Sequence, residues 1–204
     1  MQTYSHAIIT AALEKRFGGN SPIKVDKWAL LAGSFMPDMP LFILTMIFFA
    51  GRASSGEGFD AGLFGQDYDT LYFTNPVWII GHSLFHSPPM ITLYLAIGYF
   101  WGVRGGKRWA LALFWFAIGA GFHALLDIPT HHNDGPLLFF PFDWQTRFSS
   151  PISYWDPAYG ARIFAPLEHL LDVLLLGFLL RPALTRLLRR GANPDSADPQ
   201  ATGD

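Results

Sequence analysis

Histidine and aspartate residues lie within or beside the apolar parts of this 204-residue chain. His82 and His86 are four residues apart, and so are His123 and Asp127, so each pair shares one face of a regular helix and can bind one metal ion. Cysteine is absent, which excludes thiolate zinc sites, iron–sulfur clusters and disulfides. The nitrogen and oxygen ligands that remain fit Zn, Mn or Fe without deciding among them.

The same groups converge in depth when their stretches are read as helices. His82 and His86 lie roughly 9 and 15 Å from the outer start of their stretch, and His123 lies about 21 Å from the inner start of its own. If the N-terminal segment folds back on the next stretch, His6 and Asp38 lie at the same depth in the bundle. We therefore predict one metal site in the middle and outer part of a helical bundle. Its candidate ligands are His6, Asp38, His82, His86, His123, Asp127, His131 and His132.

The elements that position these groups are apolar stretches of membrane-spanning length. Half of the residues are hydrophobic and 15% are charged, against roughly 25% charged residues in soluble domains. Four stretches suit a span, namely 28–50, 76–103, 109–128 and 162–180, and each contains an ionisable residue. Pro88 and Pro89 disfavour helix at Ser87 and are expected to interrupt the second stretch. The predicted fold is an all-α, polytopic membrane bundle of about four transmembrane helices plus a short N-terminal helix over Thr3–Phe17.

Charge distribution predicts the topology. Eleven of the fourteen Lys and Arg residues fall on one side of these stretches, so both termini are expected in the cytoplasm of a multi-pass inner-membrane protein. Residues 1–190 form one membrane domain in this interpretation, and 191–204 form a disordered cytoplasmic tail. The formal net charge of −2 provides no field for phosphate backbones, so nucleic acid is not expected as a partner.

Two other classes of function remain open from the residues alone. A single intramembrane His can be a hydrogen-bonded packing residue, and Asp38 can cap a helix start. The polar groups can also belong to a proton or metal-ion pathway, although the stretches on the cytoplasmic side of Asp38 and His123 are Leu, Ala, Phe and Trp. Alternatively, the protein is a stress-response scaffold whose polar core only orders the bundle.

The ordered motifs carry a family resemblance. Along the chain, in order, lie the motifs SHAIITAAL, GSFMPDMP, GHSLFHS, GFHALLDIPTHHNDG and FPFDW. In these motifs the chain resembles the YdjM-like, LexA-regulated group of bacterial inner-membrane proteins, membrane-bound metal-dependent hydrolases distantly similar to zinc-dependent phospholipase C and P1 nuclease. The resemblance implies one to three divalent ions, zinc in preference. The implied ligands, in order, are His6, Asp38, His82 or His86, His123 with Asp127, and His131 or His132, while His169 and Asp172 match the last family motif loosely.

The expected activity is phosphoester hydrolysis at the extracytoplasmic face, with the lipid bilayer as surroundings and a phospholipid or other phosphodiester as substrate. His123 and Asp127 are the expected catalytic residues. Arg147 or Arg162 is expected to meet the negative charge of the substrate. Imidazole N–H groups are expected to bond the side chains of Ser83, Ser87 or Asp134.

The topology is testable with single cysteines, because the native chain has none. Cysteine introduced at Ser55 should react with a membrane-impermeant maleimide added to intact cells, and cysteine at Ser196 should react only after permeabilisation. Labelling of both positions from the same side would contradict the predicted orientation.

Overall fold

A computed structural model describes residues 1–55 and 65–192, with side chains described as far as Arg186. Residues 193–204, most of the expected cytoplasmic tail, lie outside this range. The described chain is mostly helical. Its α-helices are α1 (Thr3–Phe17), α2 (Lys27–Phe35), α3 (Met39–Ser55), α4 (Gln66–Thr74), α5 (Pro76–Ser83), α6 (Pro88–Ile97), α7 (Arg108–Asp127) and α8 (Ala161–Ala192).

Three helical stretches in the described residues are long and apolar enough to cross a membrane. They are Lys27–Ser55, Arg108–Thr130 and Ala161–Arg186. The first comprises α2 and α3, joined by a 3₁₀ turn at Met36–Asp38. The expected count of about four spans is not confirmed, because the stretch 76–103 does not form one helix.

That stretch is interrupted where its prolines predict. Helix α5 ends at Ser83, Ser87 has an extended backbone with φ −69° and ψ 132°, and α6 starts at Pro88. A proline ring clashes with a helical residue before it, so Ser87 leaves the helix and the new helix begins at the proline. The chain continues through a π-helical segment at Gly98–Arg104. The interruption places His86 in a turn between two helices.

The expectation of an all-α fold is wrong in one segment. Between the third and fourth predicted spans, the chain forms an antiparallel hairpin of β1 (His132–Leu137) and β2 (Arg147–Ser149). The carboxylate of Asp143 shapes the connection by accepting hydrogen bonds from the backbone N–H groups of Gln145 and Thr146. Both strands are short, and β1 contains Pro136. Neither shows a clear alternation of apolar and polar residues, so the sequence pattern does not predict them.

Helices α2 and α7 pack with their backbones in close approach. A Cβ atom added at Gly33 would lie 1.9 Å from the carbonyl oxygen of Phe116, and one added at Gly119 would lie 2.1 Å from that of Leu30. Small residues permit such approach between membrane helices, where dispersion and polar contacts drive packing. The contact brings the end of α2, next to Asp38, against the end of α7 that carries His123.

This contact predicts that alanine substitution at two glycines of α7 changes the stability of the protein differently. Gly119→Ala should lower the stability by about 1–3 kcal/mol, because the new methyl group overlaps backbone that cannot retreat cheaply. Gly121→Ala is the matched control, since its Cβ would meet only Ile91 Cγ2 at 3.7 Å and both changes gain the same helix propensity. Thermal unfolding in detergent, followed by circular dichroism, measures both. Equal melting temperatures for the two variants would contradict the close packing.

Candidate metal centre

Four side chains converge at the junction of α2, α3, α6 and α7. They are Asp38, His86, His123 and Asp127, and we call them the four-residue cluster. One ligand atom from each lies within 4.8 Å of all the others. His86 and His123 are fully buried, Asp127 is 5% exposed and Asp38 is 22% exposed. The cluster is therefore closed on most sides and reaches its surroundings at Asp38.

Breaks in the helices position these residues. A 3₁₀ turn over Met36–Asp38 separates α2 from α3, with Pro37 in its middle and Asp38 at its end. The hydroxyl of Thr3 donates to Asp38 Oδ2 at 2.5 Å, so α1 holds this carboxylate from the side. His86 occupies the turn before Pro88. His123 and Asp127 lie one turn apart on α7, as their spacing predicts.

The distances within the cluster resemble the edges of a metal polyhedron. The Nε2 atoms of His86 and His123 are 2.9 Å apart, and they lie 3.4 and 3.3 Å from Asp38 Oδ1. Asp127 Oδ2 lies 3.0 Å from His123 Nε2 and 3.7 Å from His86 Nε2. Four ligands bound to zinc tetrahedrally at about 2.1 Å would be separated by roughly 3.4 Å.

Backbone carbonyls determine which imidazole nitrogens face the cluster. His86 Nδ1 lies 2.7 Å from the His82 carbonyl oxygen, and His123 Nδ1 lies 2.9 Å from the Ser34 carbonyl oxygen. A carbonyl oxygen only accepts, so each Nδ1 carries the proton and, in a neutral ring, each Nε2 presents a lone pair. With both rings neutral, two lone-pair nitrogens and two carboxylates face one another. A cation between them would turn this repulsion into binding.

The second oxygen of Asp127 meets further groups. Asp127 Oδ1 lies 2.9 Å from His6 Nε2, 3.0 Å from the Met1 nitrogen and 3.9 Å from His131 Nδ1. The His6 ring stacks on the His123 ring with centroids 3.8 Å apart. His6 is fully buried, and burial lowers its pKa, which favours the neutral ring that can bind a metal. His6 and the Met1 nitrogen thus contact the oxygen of Asp127 that the four-residue cluster does not use, whereas His131 Nδ1 donates to the Asp127 carbonyl oxygen at 3.0 Å.

Two of the candidate ligands lie outside these groups. His82 Nδ1 is 3.0 Å from the Tyr72 hydroxyl, and that hydroxyl donates to the Asp134 carbonyl oxygen, so the histidine is the donor in its own bond. His132 Nδ1 donates to the Ser150 carbonyl oxygen, and its ring stacks on Tyr159 at 3.5 Å. Within each pair that the sequence left open, His86 rather than His82 joins the cluster, and His131 rather than His132 approaches Asp127.

The side chains expected to orient the imidazoles do not do so. Ser83 Oγ has no hydrogen-bond partner within the described chain, Ser87 Oγ donates to the Phe140 carbonyl oxygen, and Asp134 Oδ2 accepts from Trp155 Nε1. Carbonyls exposed at helix ends and turns take this role instead. Sequence reasoning favoured side-chain partners because backbone acceptors carry no residue signature.

Sequence reasoning also missed Tyr72, which lies on α4 between the first two predicted spans. Burial raises the pKa of its phenol, so the hydroxyl stays protonated and bridges His82 to Asp134. The Arg147 guanidinium lies 5.0 Å from the centre of the Tyr72 ring and donates to the Gly135 carbonyl oxygen. Tyr72 therefore lies between Arg147 and His82. Arg162 is exposed in the first turn of α8.

Two buried carboxylates of α8 hold the start of α1. Glu168 Oε1 accepts from the Gln2 backbone N–H at 2.7 Å, and Asp172 Oδ2 accepts from Ser5 Oγ at 2.7 Å. Both carboxylates are at most 5% exposed. Because Gln2 and Ser5 flank the residues that reach the site, these bonds position Thr3 and His6. His169 is about half exposed and contacts Tyr4.

Comparison with known proteins places the chain in a family. No curated protein and no solved structure shows significant similarity to it. A family model described as YdjM inner membrane protein matches residues 1–190, which include the whole site and all three candidate spans. The chain therefore belongs to the YdjM inner membrane protein family.

Proposed function

We propose that the protein is a membrane-embedded, metal-dependent hydrolase that cleaves phosphoesters, with phospholipids as the substrate class, at the extracytoplasmic face of the inner membrane. The observation that carries this proposal is the convergence of two imidazole Nε2 atoms and two carboxylates in one buried cluster, with each Nδ1 held by a backbone carbonyl. Burying two carboxylates and two imidazoles side by side is expensive, since each loses hydration, and a bound cation would compensate the two negative charges.

The residues fit a divalent ion with nitrogen and oxygen ligands, and zinc is the proposed metal. Asp38, His86, His123 and Asp127 would hold one ion. Asp127 Oδ1 and His6 Nε2, 2.9 Å apart, would offer two ligands to a second ion that shares Asp127 with the first. The backbone carbonyls behind His86 and His123 would hold these rings in the tautomer that binds metal.

A bound divalent ion supplies Lewis acidity and lowers the pKa of bound water, which suits attack on a phosphoester at neutral pH. His123 and Asp127 are fixed by α7 and keep the centre in place. Asp38 stands at the more exposed edge, and Thr3 holds its second oxygen, so its carboxylate would orient a water entering there. Arg147, which lies against the Tyr72 ring, would supply the positive charge that an anionic phosphodiester requires.

A structural metal is the second candidate, because four protein ligands are typical of closed sites whereas catalytic zinc keeps one position open. In that function the ion would lock α2, α6 and α7 together without reacting. Hydrolysis assays with the metal-loaded protein separate the two functions, since a structural ion would raise the melting temperature and leave phospholipids and generic phosphodiesters intact.

The metal centre is tested by elemental analysis of purified protein in detergent. His123→Ala should reduce the metal content from stoichiometric to background, because it removes one of four ligands and breaks the contact with the Ser34 carbonyl. His132→Ala is the matched control, since this ring contacts Ser150 and Tyr159 rather than the cluster. A folded His123→Ala variant with unchanged metal content would contradict the site.

The role of Arg147 is tested by steady-state kinetics with a long-chain phospholipid. Arg147→Gln should raise KM about ten-fold, the equivalent of one lost charge-assisted hydrogen bond, with the metal content unchanged. Arg147→Lys should recover part of the loss because it restores the charge. Arg162→Gln serves as the control at an exposed position. Equal KM values for the two glutamine variants would exclude Arg147 from substrate binding.

A further inference from the structure

An apolar groove runs between α1, α2 and α8, away from the metal centre. Its volume is about 510 Å³, and no polar side chain lines it. Ala7 and Ala11 of α1 form one wall, Trp28, Leu31 and Phe35 of α2 form the other, and Leu179 of α8 lies at one end. The small alanine side chains create the groove, because larger residues would fill the space between the helices.

The groove opens at membrane depth. Its α2 wall belongs to the candidate span Lys27–Ser55, and its α8 residue belongs to the candidate span Ala161–Arg186. From Trp28 to Phe35 the wall is about 10 Å long at 1.5 Å per residue. One leaflet of the hydrocarbon core is about 15 Å thick, so the groove matches most of the length of one acyl chain. Hydrocarbon is therefore the medium that meets this surface.

Basic side chains mark one end of the groove. Lys27 Nζ lies 5.4 Å from the centre of the Trp28 ring, and Trp28 itself is 72% exposed. Lys15 Nζ donates to the carbonyl oxygens of Phe178 and Leu179 at 2.8 and 2.9 Å. Tryptophan and lysine together are typical of the interface where lipid headgroups lie.

A proline explains why Lys15 is held at this place. Pro182 lies inside α8 and has no N–H, so it cannot bond the Phe178 carbonyl oxygen four residues earlier. Lys15 supplies the missing donor. An ammonium group has three donors, and two are used here, so one remains for an anion at the mouth of the groove.

We infer that the groove binds an anionic phospholipid, with one acyl chain along α1 and α2 and the headgroup phosphate at Lys15 and Lys27. The charge at one end and the apolar wall above it complement the two parts of such a lipid. This site is separate from the metal centre and does not depend on hydrolysis. Its far end lies at Ala7 and Phe35, next to His6 and close to Asp38 in the chain, so a bound lipid packs against the helices that carry those ligands.

Native mass spectrometry of the full chain, released from detergent with added lipid, tests the inference. Phosphatidylglycerol should be retained more than phosphatidylcholine with the same acyl chains. Ala11→Phe should reduce retention of phosphatidylglycerol because the new ring fills the groove. Ile43→Phe is the matched control, since Ile43 is 55% exposed on α3 and does not line the groove.

The charge is tested separately. Lys27→Gln should lower phosphatidylglycerol retention about five-fold, as expected for one lysine at an anionic surface, and leave phosphatidylcholine unchanged. Lys27→Gln leaves the hydrogen bonds from Lys15 to α8 intact, so the packing of α1 on α8 is preserved. In its folded fraction, Lys15→Gln should also lower phosphatidylglycerol retention and leave phosphatidylcholine retention unchanged.

Three results would overturn the inference. The first is equal retention of the two lipids by the native chain, and the second is unchanged retention in Ala11→Phe. The third is a dimer that Ala11→Phe abolishes, which would assign the groove to a second copy of the chain. Metal content, measured on the same samples, should stay unchanged in every groove variant, so failure of this site is distinguishable from failure of the metal centre.

Discussion

Two carboxylates and two imidazole nitrogens lie within 4.8 Å of one another between helices long and apolar enough to cross a membrane, and holding these groups together away from water is the constraint on which the rest of the structure depends. Buried ionisable groups are costly at low dielectric, so they persist there only when surrounding contacts hold them and opposite charge compensates them. The holding contacts come from every side. Thr3 bonds Asp38, the Ser34 carbonyl bonds His123, and the His82 carbonyl bonds His86.

Interrupted helices make this arrangement possible. A continuous helix uses its own carbonyls, whereas helix ends leave the last carbonyls free. The carbonyls of Ser34 and His82 lie near the ends of α2 and α5, and each accepts from an imidazole. Pro88 creates the turn that carries His86. Close backbone approach at Gly33 and Gly119 then brings the end of α2 against α7. Irregular backbone is tolerated at membrane depth where it is buried in protein, as it is at this site.

The two ends of the α1–α2 pair differ in chemistry. At one end lie His6 and Asp38, with the hairpin and Tyr72 nearby. At the other end Lys15 and Lys27 flank an apolar groove. Carboxylates of α8 hold the start of α1, and Lys15 bonds α8 near the end of α1, so one helix is fastened at both its termini. A helix too short to span a membrane is thereby fixed against one that is long and apolar enough to do so, and His6 reaches the buried cluster.

The sequence by itself determined the membrane class, the mostly helical fold, the interruption at Pro88 and the pairing of His123 with Asp127, because composition, proline geometry and helical spacing act over a few residues. Tertiary structure decided which histidines meet. His82 and His86 share a helical spacing, yet the turn after Ser83 sends His86 to the cluster and leaves His82 at Tyr72. The approach of His6 to Asp127 depends on bonds between α1 and α8 across more than 160 residues. The hairpin and the backbone partners of the imidazoles could not be predicted from the sequence either. Carbonyl groups are the same in every residue, and only the folded chain determines which of them remain free to accept a hydrogen bond.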